Sequence, residues 1–276
     1  MEIRRYIMQS QSRLTLDCML VLACLCSLSC EQKLVIANYS CPPPSTSIPE
    51  DASGIPSEVT IEAPWSTSFE DGFCDFTVAN GSCYADGLTS CEVVTEPVHS
   101  GRYAAAFTIN ADGTLTNSQT RCVREGQLPT AAYYGAWYYV PVKPQSVTNW
   151  NLFHFRGGDS TSDTTHGLWD VSMVLDSNDT LQLSVFNFLK QTTIAASNSH
   201  AVPISKWFHV EVFFKRAKDA TGEFSVYLDG SSVIRLTKLT TDDTQLGQWY
   251  LGNLVAAISP AKSTLYVDDV SIRPEN

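Results

Sequence analysis

The sequence predicts an all-β chain folded as a two-sheet antiparallel sandwich, and three observations lead there. From Trp65 onward the apolar residues recur with a period of two, not 3.6. The short apolar runs are separated by turn-forming clusters at regular spacing. The chain of 276 residues carries 12 Phe, 11 Tyr and 6 Trp, a supply of rings suited to facing sheets, and no long amphipathic helix competes.

The N-terminal segment has a different logic. Arg4, Arg5 and Arg13 precede an apolar run from Met19 to Leu28 that only Ser27 interrupts. A basic start followed by a run shorter than the ~20 apolar residues a bilayer needs is the layout of a secretory signal over residues 1–30. Two cleavage chemistries are open. Ser27 and Ser29 suit ordinary signal peptidase, whereas Val21-Leu22-Ala23-Cys24 or Ser27-Leu28-Ser29-Cys30 resembles the lipobox of bacterial lipoproteins, with Cys30 the better placed for acylation. The chain is therefore expected to be secreted, or tethered at the outer-membrane or periplasmic surface through a lipid on Cys30. Residues 31–60, with Cys41-Pro42-Pro43-Pro44-Ser45 and Ile48-Pro49, read as a Pro/Ser-rich linker, and residues 61–276 as the folded domain.

In that oxidising setting Cys74, Cys83, Cys91 and Cys122, clustered at the start of the domain, are expected to form disulfides, with pairing left open. No CxxC pair is present to favour zinc. The formal net charge of −11 speaks against nucleic acid and anionic lipid as partners, and weighs against a strongly anionic polysaccharide unless one basic groove overrides the average. The membrane is expected to matter only through a lipid anchor.

Seven runs read as strands: Ala136–Val140, Leu152–Arg156, Leu168–Leu175, Leu181–Phe188, Phe208–Phe214, Phe224–Leu228 and Leu265–Ile272. Turn chemistry punctuates them at Arg156-Gly157-Gly158-Asp159, Asp176-Ser177-Asn178-Asp179, Ala220-Thr221-Gly222 and Asp229-Gly230. Alternation sorts the faces. Leu181, Leu183 and Val185 point inward and Gln182 and Ser184 outward. Phe153 and Phe155 point inward and His154 and Arg156 outward. Asp170 and Ser172 emerge beside Trp169, Val171 and Met173. His209 and Glu211 emerge beside Phe208, Val210 and Val212.

Several phrases carry a family resemblance. They are Ser68-Phe69-Glu70-Asp71-Gly72, His99-Ser100-Gly101-Arg102-Tyr103, Lys206-Trp207-Phe208-His209-Val210, Val226-Tyr227-Leu228-Asp229-Gly230 and Leu265-Tyr266-Val267-Asp268-Asp269-Val270. Together they resemble concanavalin A-like, laminin-G-like jelly rolls, including carbohydrate-binding modules and jelly-roll polysaccharide lyases. The resemblance implies a jelly-roll sandwich and a structural calcium shared by its first and last strands, here held by Glu70, Asp71, Asp268 and Asp269. Clustered carboxylates suit a hard cation; the plainer reading is a turn at Asp71-Gly72 and a strand end at Asp268-Asp269.

The outward set His154, Arg156, Asp170, Ser172, Gln182 and Ser184 would make a polar groove for sugar hydroxyls if its strands are neighbours. Trp137, Tyr139 or Trp150 would then be the aromatic platform. A solvated sheet face is the bland alternative. The stretch Leu152-Phe153-His154-Phe155-Arg156 is similar to a degenerate form of the Gln-Ile-His strand of jelly-roll lyases, with Leu152 where glutamine is expected. That likeness implies His154 as base, Arg156 neutralising a uronate carboxylate, and Tyr139 or Tyr227 as acid. No Glu-x-Asp-x-x-Glu triplet supports glycoside hydrolysis, and no Gly-x-Ser-x-Gly elbow supports a serine hydrolase. Carbohydrate recognition is the first expectation, uronate lyase activity the second, and laminin-G-like protein adhesion the third.

Overall fold

The computed structural model describes residues 60–78, 81–111, 117–158, 166–196, 200–242, 244 and 246–275. The signal over 1–30, the linker through residue 59 and Cys30 lie outside the described residues.

In chain order, β1 (Trp65–Thr67) leads to the short helix α1 (Cys74–Val78), β2 (Gly81–Ala85), β3 (Ser90–Val94), β4 (Ala104–Asn110) and β5 (Ser118–Gly126). Next come β6 (Ala131–Tyr139), β7 (Ser146–Thr148), β8 (Trp150–Gly158), β9 (His166–Leu175), β10 (Leu181–Asn187) and β11 (Thr192–Ala195). The chain continues through β12 (Trp207–Lys215), β13 (Gly222–Leu228), β14 (Ser231–Leu239), β15 (Leu246–Val255), β16 (Ala257–Ser259) and β17 (Lys262–Pro274). All seven runs expected from periodicity are strands.

The front sheet has the order β11-β10-β9-β8-β15-β5-β2. The back sheet has the order β14-β13-β12-β6-β17-β4-β3, with β1 on β17, and β7 and β16 make a small separate ribbon. Every strand pairing within the two sheets is antiparallel, as a two-sheet sandwich requires.

The core is the expected meeting of inward rings. Phe153, Phe155, Trp169 and Trp249 descend from the front sheet onto Tyr138, Tyr134, Phe224 and Phe214 of the back sheet. Trp169 stacks on Phe224 at 4.6 Å between centroids, and Phe155 meets Phe214 edge-on at 4.9 Å. Tyr134 meets Trp249 at 5.0 Å and Tyr138 meets Phe153 at 5.7 Å. Large buried rings of this kind supply most of the apolar area that holds two sheets together.

The turns form as their sequences direct. Asp229 and Gly230 both adopt left-handed backbone, with φ of 49° and 76°, closing the two-residue hairpin between β13 and β14. Asp176 Oδ1 accepts the backbone N–H of Asn178 and of Thr180, both at 2.8 Å, between β9 and β10. Ahead of β15, Arg216 donates from Nε to Asp242 at 2.5 Å and from its other nitrogens to the carbonyls of Leu128 and Thr244, both at 2.9 Å. This buried network fixes the approach to the strand that later supplies a key tyrosine.

Cys83 and Cys122 form a disulfide between the neighbouring strands β2 and β5, with their Cα atoms 4.0 Å apart. Cys74 is disulfide-bonded as well. Cys91 departs from expectation and is a free thiol. It sits on β3 in the back sheet, facing the core with its thiol against Thr120 of β5, and burial pushes its pKa up.

Candidate functional site on the front sheet

Strand pairing assembles the site. Because Phe153, Phe155, Trp249 and Leu251 point into the core, their neighbours His154, Arg156, Gln248 and Tyr250 share the outer face of the front sheet. The register sets His154 opposite Tyr250 and Arg156 opposite Gln248 across β8 and β15, and His154 opposite Asp170 across β8 and β9. Gly252 on β15 has a φ of 134°, and a Cβ there would lie 2.7 Å from the Thr120 carbonyl oxygen. Only glycine lets β15 run this close to β5.

The side chains lock together. The rings of His154 and Tyr250 lie 5.6 Å apart between centroids, and Phe188 meets the imidazole edge-on at 5.7 Å on another side. The Tyr250 hydroxyl donates to Gln248 Oε1 at 2.9 Å and accepts a hydrogen bond from Arg156. Gln248 in turn donates to Glu125 at 2.8 Å. The Arg121 guanidinium lies over the Tyr250 ring at 4.5 Å from its centroid. It is steadied by the Tyr84 hydroxyl at 3.1 Å and Gln119 Oε1 at 2.7 Å. Arg121, His154, Asp170, Asn151 and Phe188 line a cleft of ≈ 260 Å³.

The environment sets the protonation states. The His154 side chain is only 13% exposed, and burial lowers its pKa below the ordinary 6.5 against the opposing pull of Asp170. Its Nδ1 is bonded to Asp170 Oδ1, a bond that assigns the proton to Nδ1 and leaves Nε2 as the acceptor. Tyr250 is 3% exposed, and burial raises its pKa above 10.0, with Tyr84 adding to the rise and Arg156 and Arg121 opposing it. A neutral imidazole therefore sits beside an un-ionised phenol, with two guanidiniums in reach. Such a set can take a proton at one atom, give one at another, and hold a carboxylate.

The sequence-predicted residues divide sharply. His154, Arg156 and Asp170 come together. Ser172, Ser184 and Gln182 sit on the same sheet but are buried. Ser184 donates to the Ser172 carbonyl at 3.4 Å, and Gln182 is bridged by the chain at Ala201. They are covered and do not line the cleft. Trp137, Tyr139 and Tyr227 lie on β6 and β13 of the back sheet and do not join the site. Trp137 stacks on His99 at 3.8 Å, and Tyr139 meets Trp207 at 5.6 Å and Tyr266 at 5.9 Å. Trp150 is buried and donates its indole N–H to Asn253 at 2.8 Å, so it offers no platform. On the back sheet Glu211 pairs with Arg273 beside His209. Sequence reasoning missed Tyr250, Gln248, Arg121 and Tyr84. The alternation in Gln248-Trp249-Tyr250-Leu251 was the available signal.

The four acids proposed for calcium lie near the junction of the first and last strands. Glu70 Oε1 accepts the backbone N–H of Arg102 at 2.7 Å and of Tyr103 at 3.1 Å. Asp268 Oδ2 accepts those of His99 at 2.9 Å and Ser100 at 3.1 Å. Asp269 bonds His99 Nδ1 at 2.5 Å and the Ser100 hydroxyl at 2.7 Å. Asp71 and Glu70 line a neighbouring acidic recess with Asp269. Among the described residues no group of three or more His, Cys, Asp or Glu is disposed to hold a metal ion. Glu70, Asp268 and Asp269 tether the 99–103 loop.

A model of the polysaccharide lyase family matches residues 60–271. The chain belongs to the polysaccharide lyase family. Its function is accordingly polysaccharide-related. No curated protein matches the sequence. Among solved structures, this polysaccharide lyase family member is similar to an endo-β-1,4-glucuronan lyase from the fungus Trichoderma reesei. The TM-score is 0.57 and the identity 16%, over 70% of this chain and 90% of that one. It is also similar to Cip1, a cellulose-induced protein, with TM-score 0.53 and 14% identity over 75% of this chain and 96% of that one. A third likeness is the alginate lyase Aly36B in complex with an alginate trisaccharide, with TM-score 0.51 and 15% identity over 80% of this chain and 100% of that one. These likenesses establish the jelly-roll sandwich.

Proposed function

We propose that this family member cleaves uronate-containing polysaccharide by β-elimination in the front-sheet cleft. The observation that carries the reading is the cross-strand pair His154 and Tyr250, 5.6 Å apart, with Arg121 and Arg156 interacting with the same phenol. His154 Nε2 takes the C5 proton of the uronate. The electron pair left behind forms the C4–C5 double bond, the C4–O bond breaks, and the Tyr250 hydroxyl protonates the leaving oxygen. Arg121 and Arg156 neutralise the carboxylate, which makes the C5 proton more acidic. They supply local positive charge in a chain whose formal net charge is −11.

Recognition without cleavage is the competing reading. What favours the lyase is the pairing itself: an imidazole whose Nδ1 is held by Asp170, leaving Nε2 as a base, beside a phenol that can serve as the acid, with guanidiniums on the same ring and hydroxyl. An enzyme acting on a polymer meets it outside the cell, in keeping with export behind the 1–30 signal, whether released or held through Cys30. The test is incubation of the purified protein with a panel of uronate polymers, following the ultraviolet absorbance of the unsaturated product. We expect absorbance to grow with at least one polymer and to be abolished in His154→Ala. Binding on a glycan array with no unsaturated product from any polymer would overturn the elimination.

A further inference from the structure

We propose that Asp170 is the positioning residue for His154, holding the imidazole in the tautomer that leaves Nε2 for substrate and stabilising the imidazolium formed when that nitrogen takes the proton. The proposal rests on the elimination reading of the cleft and assigns this carboxylate a role other than contact with sugar hydroxyls.

Geometry carries it. Strands β8 and β9 pair with His154 directly opposite Asp170, so the contact is set by backbone register and not by flexible side chains. Asp170 Oδ1 is bonded to Nδ1, and the Asp170 side chain is only 19% exposed. An ionised carboxylate accepts only, so the ring nitrogen facing it must carry the proton. Phe188 packs edge-on to the ring at 5.7 Å between centroids, which restricts its rotation.

The charges around the ring give the carboxylate its purpose. Arg121 from β5 and Arg156 from β8, the strand that carries His154, both oppose protonation of His154, as does burial. Tyr250 from β15 and Phe188 add no charge. Asp170 from β9 alone among these groups favours the imidazolium, through charge and through the hydrogen bond. The guanidiniums that would hold the substrate carboxylate thus weaken the base, and Asp170 restores it. During elimination the C5 proton passes to Nε2 and the Tyr250 proton passes to the leaving oxygen, while Asp170 keeps its bond to Nδ1.

The experiment compares the full chain with Asp170→Asn and Asp170→Glu. Nitrogen-15 NMR of labelled histidine reads the tautomer and pKa of His154. In parallel, kcat/KM is followed against pH on the uronate polymer that the wild type cleaves. In Asp170→Asn we expect the His154 pKa and the acid limb of kcat/KM to fall together. The plateau kcat should drop about 100-fold, with KM little changed. Asp170→Glu should recover part of kcat, which a folding defect would not allow. A raised KM with an unmoved acid limb and unmoved His154 pKa would make Asp170 a substrate contact and overturn the proposal. If the wild type cleaves no uronate polymer, the elimination reading is what fails. The histidine spectrum then decides the pairing alone: a lowered pKa in Asp170→Asn upholds it and an unmoved one overturns it.

Discussion

Replacing Tyr250 with phenylalanine removes one oxygen and leaves the rest of the site in place. The ring still packs 5.6 Å from His154 and still lies under Arg121, 4.5 Å from its centroid. What is lost is the hydrogen bond to Gln248 at 2.9 Å and the one from Arg156. At about 0.5–1.5 kcal/mol net for each such bond, the fold should survive with a modest loss of stability. The catalytic loss is of another order. A general acid contributes roughly 10²–10⁴-fold, equivalent to about 3–5 kcal/mol of barrier. The phenyl ring cannot donate a proton at all. Steady-state assay of unsaturated product should therefore show kcat falling by that factor, with KM changing little because both guanidiniums remain. Retention of most wild-type kcat by Tyr250→Phe, with wild-type thermal unfolding, would refute Tyr250 as the acid.

Four further outcomes follow from the same structure. The pH profile of kcat/KM should be broad, rising through a pKa below 6.5 as His154 loses its proton and falling only through one above 10.0 as Tyr250 ionises. Because the folded pKa of His154 is depressed, its contribution to stability is present above 6.5 and is lost as pH falls through that window, which denaturant midpoints measured across it would detect. Tyr139→Phe should leave kcat and KM at wild-type values, since Tyr139 lies on the back sheet against Trp207 and Tyr266; a large loss of kcat would contradict the assignment of the cleft. Asp242→Ala should cost about 3–5 kcal/mol in urea unfolding, because the Arg216 guanidinium, its side chain 11% exposed, keeps its charge and loses its counter-ion.

How much of this was legible in the residues differs between fold and site. Period-two alternation located β6, β8, β9, β10, β12, β13 and β17, because a side chain's direction relative to its own strand is a local property. It also put His154 and Arg156 on one outer face, where they are found. Alternation cannot say which strands become neighbours or which of two sheets a strand joins. Trp137 and Tyr139 have the same outward signature as Tyr250, yet they lie on the opposite surface of the sandwich. Outward did not mean accessible either: Ser172, Ser184 and Gln182 point away from the core and are still covered.

By itself the sequence determined the sandwich, the inward rings, the turns at Asp176 and Asp229-Gly230, and the shared outer face of His154 and Arg156 on which the proposed site is built. Only the tertiary structure decided that Tyr250 and Arg121, remote in sequence from His154, complete it, that Asp170 faces the imidazole, and that Cys91 stays unpaired. The physical reason is that alternation is fixed by each residue's own backbone. Catalytic proximity is fixed by hydrogen-bond register between strands far apart in the chain, and that register exists only once both sheets have closed on their shared core.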